Sequence, residues 1–154
     1  MGKFKYRMQN ILKLKEKLED QSKMAYANQR RALTREEQIE EELKNEKNRY
    51  EEEGKRLRSS GLNVRDILEN IQGVNTMDML IADQHVRVKI EEDKLEKRRQ
   101  ELEKVMKERK AQEKLREHAY RRFQQEENAA ESKIIDELTS YTYGNKRRES
   151  KKGE

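Results

Sequence analysis

Between Phe4 and Leu57 apolar residues recur in an alternating four-three spacing: Phe4, Met8, Ile11, Leu18, Ala25, Ala32, Ile39, Leu43, Tyr50 and Leu57. Ten of the sixteen positions on that track are apolar, and its phase never slips. A 3.5-residue repeat sustained over this length specifies a helix with a narrow apolar seam, which needs a partner helix to cover it. Nothing interrupts it, because the chain has no proline to remove a backbone donor or clash with the preceding turn. A second track runs through Ile81, Val88, Leu95, Leu102, Met106, Tyr120, Phe123, Ala130, Ile134 and Tyr141. His85, Glu92, Arg99, Arg109, Glu113, Arg116, Glu127 and Glu137 fill its remaining positions.

Composition restricts what these helices can build. Only 31% of residues are hydrophobic and 45% are charged, which cannot fill a wide core but suffices for a seam between two helices. The same composition suits disorder, yet disordered chains do not hold a heptad phase. One feature of the first seam is unusual. Lys15, Ser22, Gln29 and Glu36 are four consecutive polar residues at one heptad position. They read either as long side chains snorkelling out of a loose coiled coil, or as a stretch that offers its surface to another protein.

The breaks cluster near the middle. Gly54 falls inside the helical pattern, and Ser59-Ser60-Gly61 is a stop, with Gly61 suited to a left-handed position after the helix. Asn63 can cap the next segment, with Asp66 in its first turn and Leu62 and Ile67 spaced for a hydrophobic staple. The reading is an all-α fold: a long two-helix antiparallel coiled-coil hairpin with a short helix at the turn. Helix one is expected over 3–58, a short helix and turn over 59–75 ending at Gly73, helix two over 76–143, and a disordered basic tail over 144–154. Residues 1–143 form one unit on this reading. A dimer of straighter chains is the alternative, and Gly54, Gly61 and Gly73 argue for the intramolecular turn.

Chemistry is sparse. The chain has no cysteine, its glycines are isolated rather than grouped around a phosphate, and His85 and His118 share no ligand spacing. Runs such as Glu51-Glu52-Glu53 abound, but a thin rod offers no cleft to raise a carboxylate pKa. Neither an enzyme, a cofactor nor a metal is expected. The net charge of +5 is interleaved rather than gathered in a single-sign field, so no nucleic-acid partner is expected. The longest fully apolar run, Met79–Ala82, is too short to span a bilayer.

The opening Phe4-Lys5-Tyr6-Arg7-Met8-Gln9-Asn10-Ile11-Leu12 resembles the start of the flagellar FliJ family, an aromatic-x-aromatic-Arg-Leu-Gln pattern followed by a Leu-Leu pair. Here Met8 stands for the first Leu and Ile11 for the first of the pair. Arg121-Arg122-Phe123, then Ile134-Ile135-Asp136-Glu137-Leu138 and a basic end, agree with that family's close. The resemblance implies a component of the flagellar type III export apparatus, serving flagellum biogenesis and so motility and chemotaxis. It implies a coiled coil like the stalk of a rotary ATPase, cytoplasmic and peripherally associated with the membrane at the flagellar base. Its implied partners are the hexameric export ATPase, the membrane export gate protein and export chaperones. By analogy with the stalk, Phe4, Arg7, Met8 and Ile11 with Ile134, Leu138 and Tyr141 would meet the ATPase ring. Ile39, Leu43, Tyr50, Met77, Ile81 and His85 would form the patch for the gate, although Glu46 falls where a more hydrophobic residue is expected. A chaperone or chaperone-escort role and a generic coiled-coil scaffold are the alternatives.

Overall fold

The computed structural model describes residues 2–61 and 63–153. They form two helices, α1 (Gln9–Ser59) and α2 (Val64–Lys152). The chain divides into two units: Leu18–Met106, and Met1–Lys17 with Lys107–Glu154. In both, α1 and α2 pair antiparallel. Within the first, partners run in opposite order along the two helices, from Tyr50 with Asn70, through Lys47 with Asp78 and Glu36 with Gln84, to Gln29 with Glu91. This unit is a helical hairpin, and the expected all-α antiparallel class is present.

The turn is built largely as the residues dictate. The Ser60 N–H and both serine hydroxyls donate to the Arg56 carbonyl, and Gly61 turns the chain with φ 111°. The Asn63 side chain then accepts from the Arg65 N–H at 3.2 Å, and Asp66 lies in the first turn at the positive end of α2. Leu62, the other half of the expected staple, lies outside the described residues.

Three boundaries differ from expectation. Helix one begins at Gln9, not residue 3. Lys3, Lys5 and Arg7 would put three cations at the positive end of a helix, whereas as an irregular segment these residues deliver Phe4 and Tyr6 to α2. Gly73 does not end a short helix, and α2 passes through it unbroken. The expected disordered tail from 144 is helical as far as Lys152, with Lys151 and Lys152 in the last turn, where the helix dipole favours cations.

The seam keeps one expected column on each helix and moves the other by a residue. Met8, just before α1, and the α1 column Lys15, Ser22, Gln29, Glu36, Leu43, Tyr50 and Leu57 are half-buried, flanked by Leu12, Glu19, Tyr26, Leu33, Glu40, Lys47 and Gly54. Leu12 and Leu33 belong to the small buried core, while Ile11 and Ile39, expected inside, are exposed. On α2 the seam runs through Met77, Ile81, Gln84, Val88, Glu91 and Leu95, and His85 faces out.

This places the polar column at the centre of the helix pair. In the hairpin unit, the Gln29 side-chain amide donates to the Glu91 carbonyl and carboxylate, and the Gln84 amide donates to the Glu36 carbonyl at 2.9 Å and to its carboxylate. Gln29 and Glu36 stand one heptad apart on α1, as Gln84 and Glu91 do on α2. The four residues thus form a reciprocal clasp that holds only one register. Gln84 is 4% exposed, so its amide depends on these bonds for satisfaction.

Candidate partner-binding surfaces

The unit that carries both ends of the chain is anchored by aromatic side chains. Phe4 meets Tyr120 edge-on at 5.2 Å between ring centroids and Phe123 at 5.5 Å, with the Arg116 guanidinium 5.8 Å over its face. The Tyr6 hydroxyl donates to Gln112 Oε1 at 3.0 Å, Arg116 donates to Gln9 Oε1 at 3.1 Å, and Lys15 pairs with Glu108 at 2.9 Å. Phe4 and Met8 are therefore half-buried in this helix pair, whereas Arg7 and Ile11 are exposed.

Beyond Glu127 none of the described residues covers α2. From Asn128 to Gly144 every residue is exposed. The helix nevertheless continues to Lys152, a segment of about 38 Å past Glu127 at the α-helical rise. It carries Ile134, Leu138 and Tyr141, each more than half exposed, together with Ile135 and Tyr143, which the seam pattern did not single out. Ile134 and Tyr141 lie on the second apolar track of the sequence, with Glu137 between them on that track and Leu138 one residue beside it.

The hairpin unit treats the other predicted set differently. Leu43, Tyr50, Met77 and Ile81 are half-buried between α1 and α2, while Ile39 and His85 lie outside. Tyr50 is fixed closely: its carbonyl accepts from the Asn70 amide at 2.7 Å, and its ring lies where a side chain at Gly73 would stand. Glu40 faces His85 Nδ1 at 3.5 Å and Lys44 at 2.9 Å. The hydrogen bond from Lys44 holds the Glu40 carboxyl below its usual range against desolvation, and His85 acts in the same direction. Sequence reasoning missed the clasp residues Gln84 and Glu91, although the polar column containing Gln29 and Glu36 was the signal for it.

A model of the family described as flagellar FliJ protein matches residues 4–148. The chain belongs to that family. Membership in that family makes the chain a component of a type III export apparatus. Among solved structures it is similar to a putative YscO homolog from Chlamydia trachomatis, with TM-score 0.59 and 19% identity over 95% of this chain and 99% of that one. That likeness concerns the fold. No curated protein matches. Among the described residues no helix is long and apolar enough to cross a membrane, and no group of His, Cys, Asp or Glu is disposed to hold a metal ion.

Proposed function

We propose that this FliJ-family protein acts by binding, joining the export ATPase ring to the membrane export gate, with no chemistry of its own. The observation that carries the reading is the uncovered end of α2. Apolar residues on a helix are stable in water when something covers them, and among the described residues nothing covers these. Ile134, Leu138 and Tyr141 would enter the ring beside exposed Arg7 and Ile11, with Phe4 and Met8 holding the helix pair in place behind them. The gate would be met through Ile39 and His85, supported by Leu43, Tyr50, Met77 and Ile81 in the seam beneath.

The test is ATP hydrolysis by the cognate export ATPase, with ring assembly followed in the same samples. Stimulated hydrolysis with more hexamer is the expected result, and I134A/L138A/Y141A should abolish both while far-ultraviolet circular dichroism stays unchanged. No stimulation by the wild-type chain, or full stimulation by the triple variant, would overturn the ring assignment. Loss of gate-protein binding in I39A/H85A tests the second contact separately.

A further inference from the structure

The side of α1 turned away from α2 in the hairpin unit carries a second four-three column: Ala27, Arg31, Thr34, Gln38, Glu41 and Asn45. At 3.6 residues per turn it lies opposite the seam residues Gln29, Leu33, Glu36 and Glu40. All of the column except the half-buried Ala27 is exposed. Arg30 and Arg35 flank its first half, Glu37 and Glu42 its second, and all four are exposed. Charge on this face is therefore gathered in blocks, three arginines before residue 36 and three glutamates after it, whereas most of the chain interleaves its charges.

The blocks are not neutralised within their own helix. Arg30, Arg31 and Arg35 have no carboxylate three or four residues away, and Glu37 and Glu42 have no cation there. Glu41 has Lys44, but Lys44 is bonded to Glu40 at 2.9 Å. None of the six forms an ion pair among the described residues, and Arg31 makes only a 3.3 Å bond to Asn28 Oδ1. Arg31 with Arg35 and Glu37 with Glu41 are like charges four residues apart, an arrangement that weakens an isolated helix. The other charges between 27 and 45 are already engaged, Glu36 by Gln84, and Glu40 by Lys44 and His85. Just outside, Lys23 pairs with Glu19 at 3.3 Å and Glu46 with Arg49 at 3.1 Å.

We propose that this face of α1 is a self-association surface, on which a second copy of the chain packs α1 against α1 in antiparallel order. That order lays the arginine block of each copy on the glutamate block of the other, whereas a parallel order would lay like on like. The column itself is small and polar, so charge rather than apolar area decides the contact. A helix about 10 Å wide touching over about 28 Å covers on the order of 300 Å² per chain, below the roughly 800 Å² per partner of a stable specific interface. The dimer is accordingly weak and salt-sensitive. The surface shares no residue with the ring and gate contacts proposed above, so it stands or falls independently of them.

Analytical ultracentrifugation of the full chain over a concentration series reads the contact. Runs in about 0.01 M and about 1 M salt set the Debye length near 30 Å and 3 Å. The wild type should form dimers in low salt and dissociate in high salt. R30E/R31E/R35E and E37R/E41R/E42R should each weaken self-association by at least about tenfold, with helicity retained by circular dichroism. An equimolar mixture of these two variants should form the heterodimer. A variant carrying all six changes restores opposite blocks in reverse order and should dimerise within about threefold of the wild type. A wild type that stays monomeric up to about 1 mM in low salt overturns the proposal. So does association that either triple variant leaves undiminished, or that neither the mixture nor the six-change variant recovers.

Discussion

Replacing Gly73 by alanine puts two opposing effects on one atom. On helix propensity alone the change should stabilise α2 by about 1 kcal/mol, since glycine in a helix interior loses more backbone entropy than alanine. The structure predicts the opposite sign. A Cβ at position 73 would lie 2.5 Å from Tyr50 Cε1, 2.8 Å from Cδ1 and 3.2 Å from Cζ. Carbon atoms rest about 3.5–4 Å apart, so the ring or the helix must withdraw by about 1 Å. Accommodating an extra methyl in a packed site costs about 1–3 kcal/mol, which exceeds the propensity gain and leaves a net loss of about 1 kcal/mol. Removing the ring should reverse this. In a Y50A background the three nearest atoms to the methyl are gone, and G73A should stabilise by the propensity term of about 1 kcal/mol. The coupling between the two sites is then about 2 kcal/mol, and a double-mutant cycle isolates it. Urea denaturation followed by far-ultraviolet circular dichroism on wild type, both single variants and the double variant measures all four corners. Stabilisation by G73A in both backgrounds would refute the argument and leave Gly73 without a packing role.

Other perturbations read other parts of the molecule. Q84L leaves the Glu36 carbonyl and carboxylate without their donor and should cost about 1–3 kcal/mol in urea denaturation; a change within error would show that the clasp adds nothing. F4A removes two ring contacts worth about 0.5–1.5 kcal/mol each, so the Tyr6–Gln112 bond should open and amide protons near Gln9 should exchange faster, by hydrogen-exchange mass spectrometry, with little change near Gln84. Glu40 has its folded pKa lowered, so its contribution is present above its usual value of 4.5 and is lost as pH falls through the folded value. Melting temperatures of wild type and E40Q should therefore differ at neutral pH and converge as the pH falls through the lowered folded value of Glu40, and a constant difference from neutral to acid pH would exclude the linkage.

How far the chain could be read without coordinates depended on whether a signal was local. The turn was legible: Ser60, Gly61 and Asn63 act through their own backbone neighbours, and each does what its residue type predicts. Gly73 was misread because glycine has two uses, ending a helix or admitting a close neighbour. Only the position of Tyr50, 23 residues earlier in the chain, shows that the second applies. The seam was half legible for a similar reason. Apolar spacing located one column on each helix correctly, but the second column is chosen by what the partner presents. Glu36 and Gln29 are held at the centre because Gln84 and Glu91 face them.

By itself, then, the sequence determined that this protein is all-α, that its helices are long and paired through heptad seams, that the chain turns near Gly61, and which family its opening residues resemble. These follow from periodicity, the absence of proline and the local chemistry of caps. Tertiary structure decided which flank of each seam is buried, that the polar column is a clasp rather than an outward surface, and which described residues of α2 stand exposed. Those outcomes rest on hydrogen bonds and contacts between residues far apart in the chain. Their energies depend on the distance and orientation of both partners, and neither partner's own sequence neighbourhood contains that information.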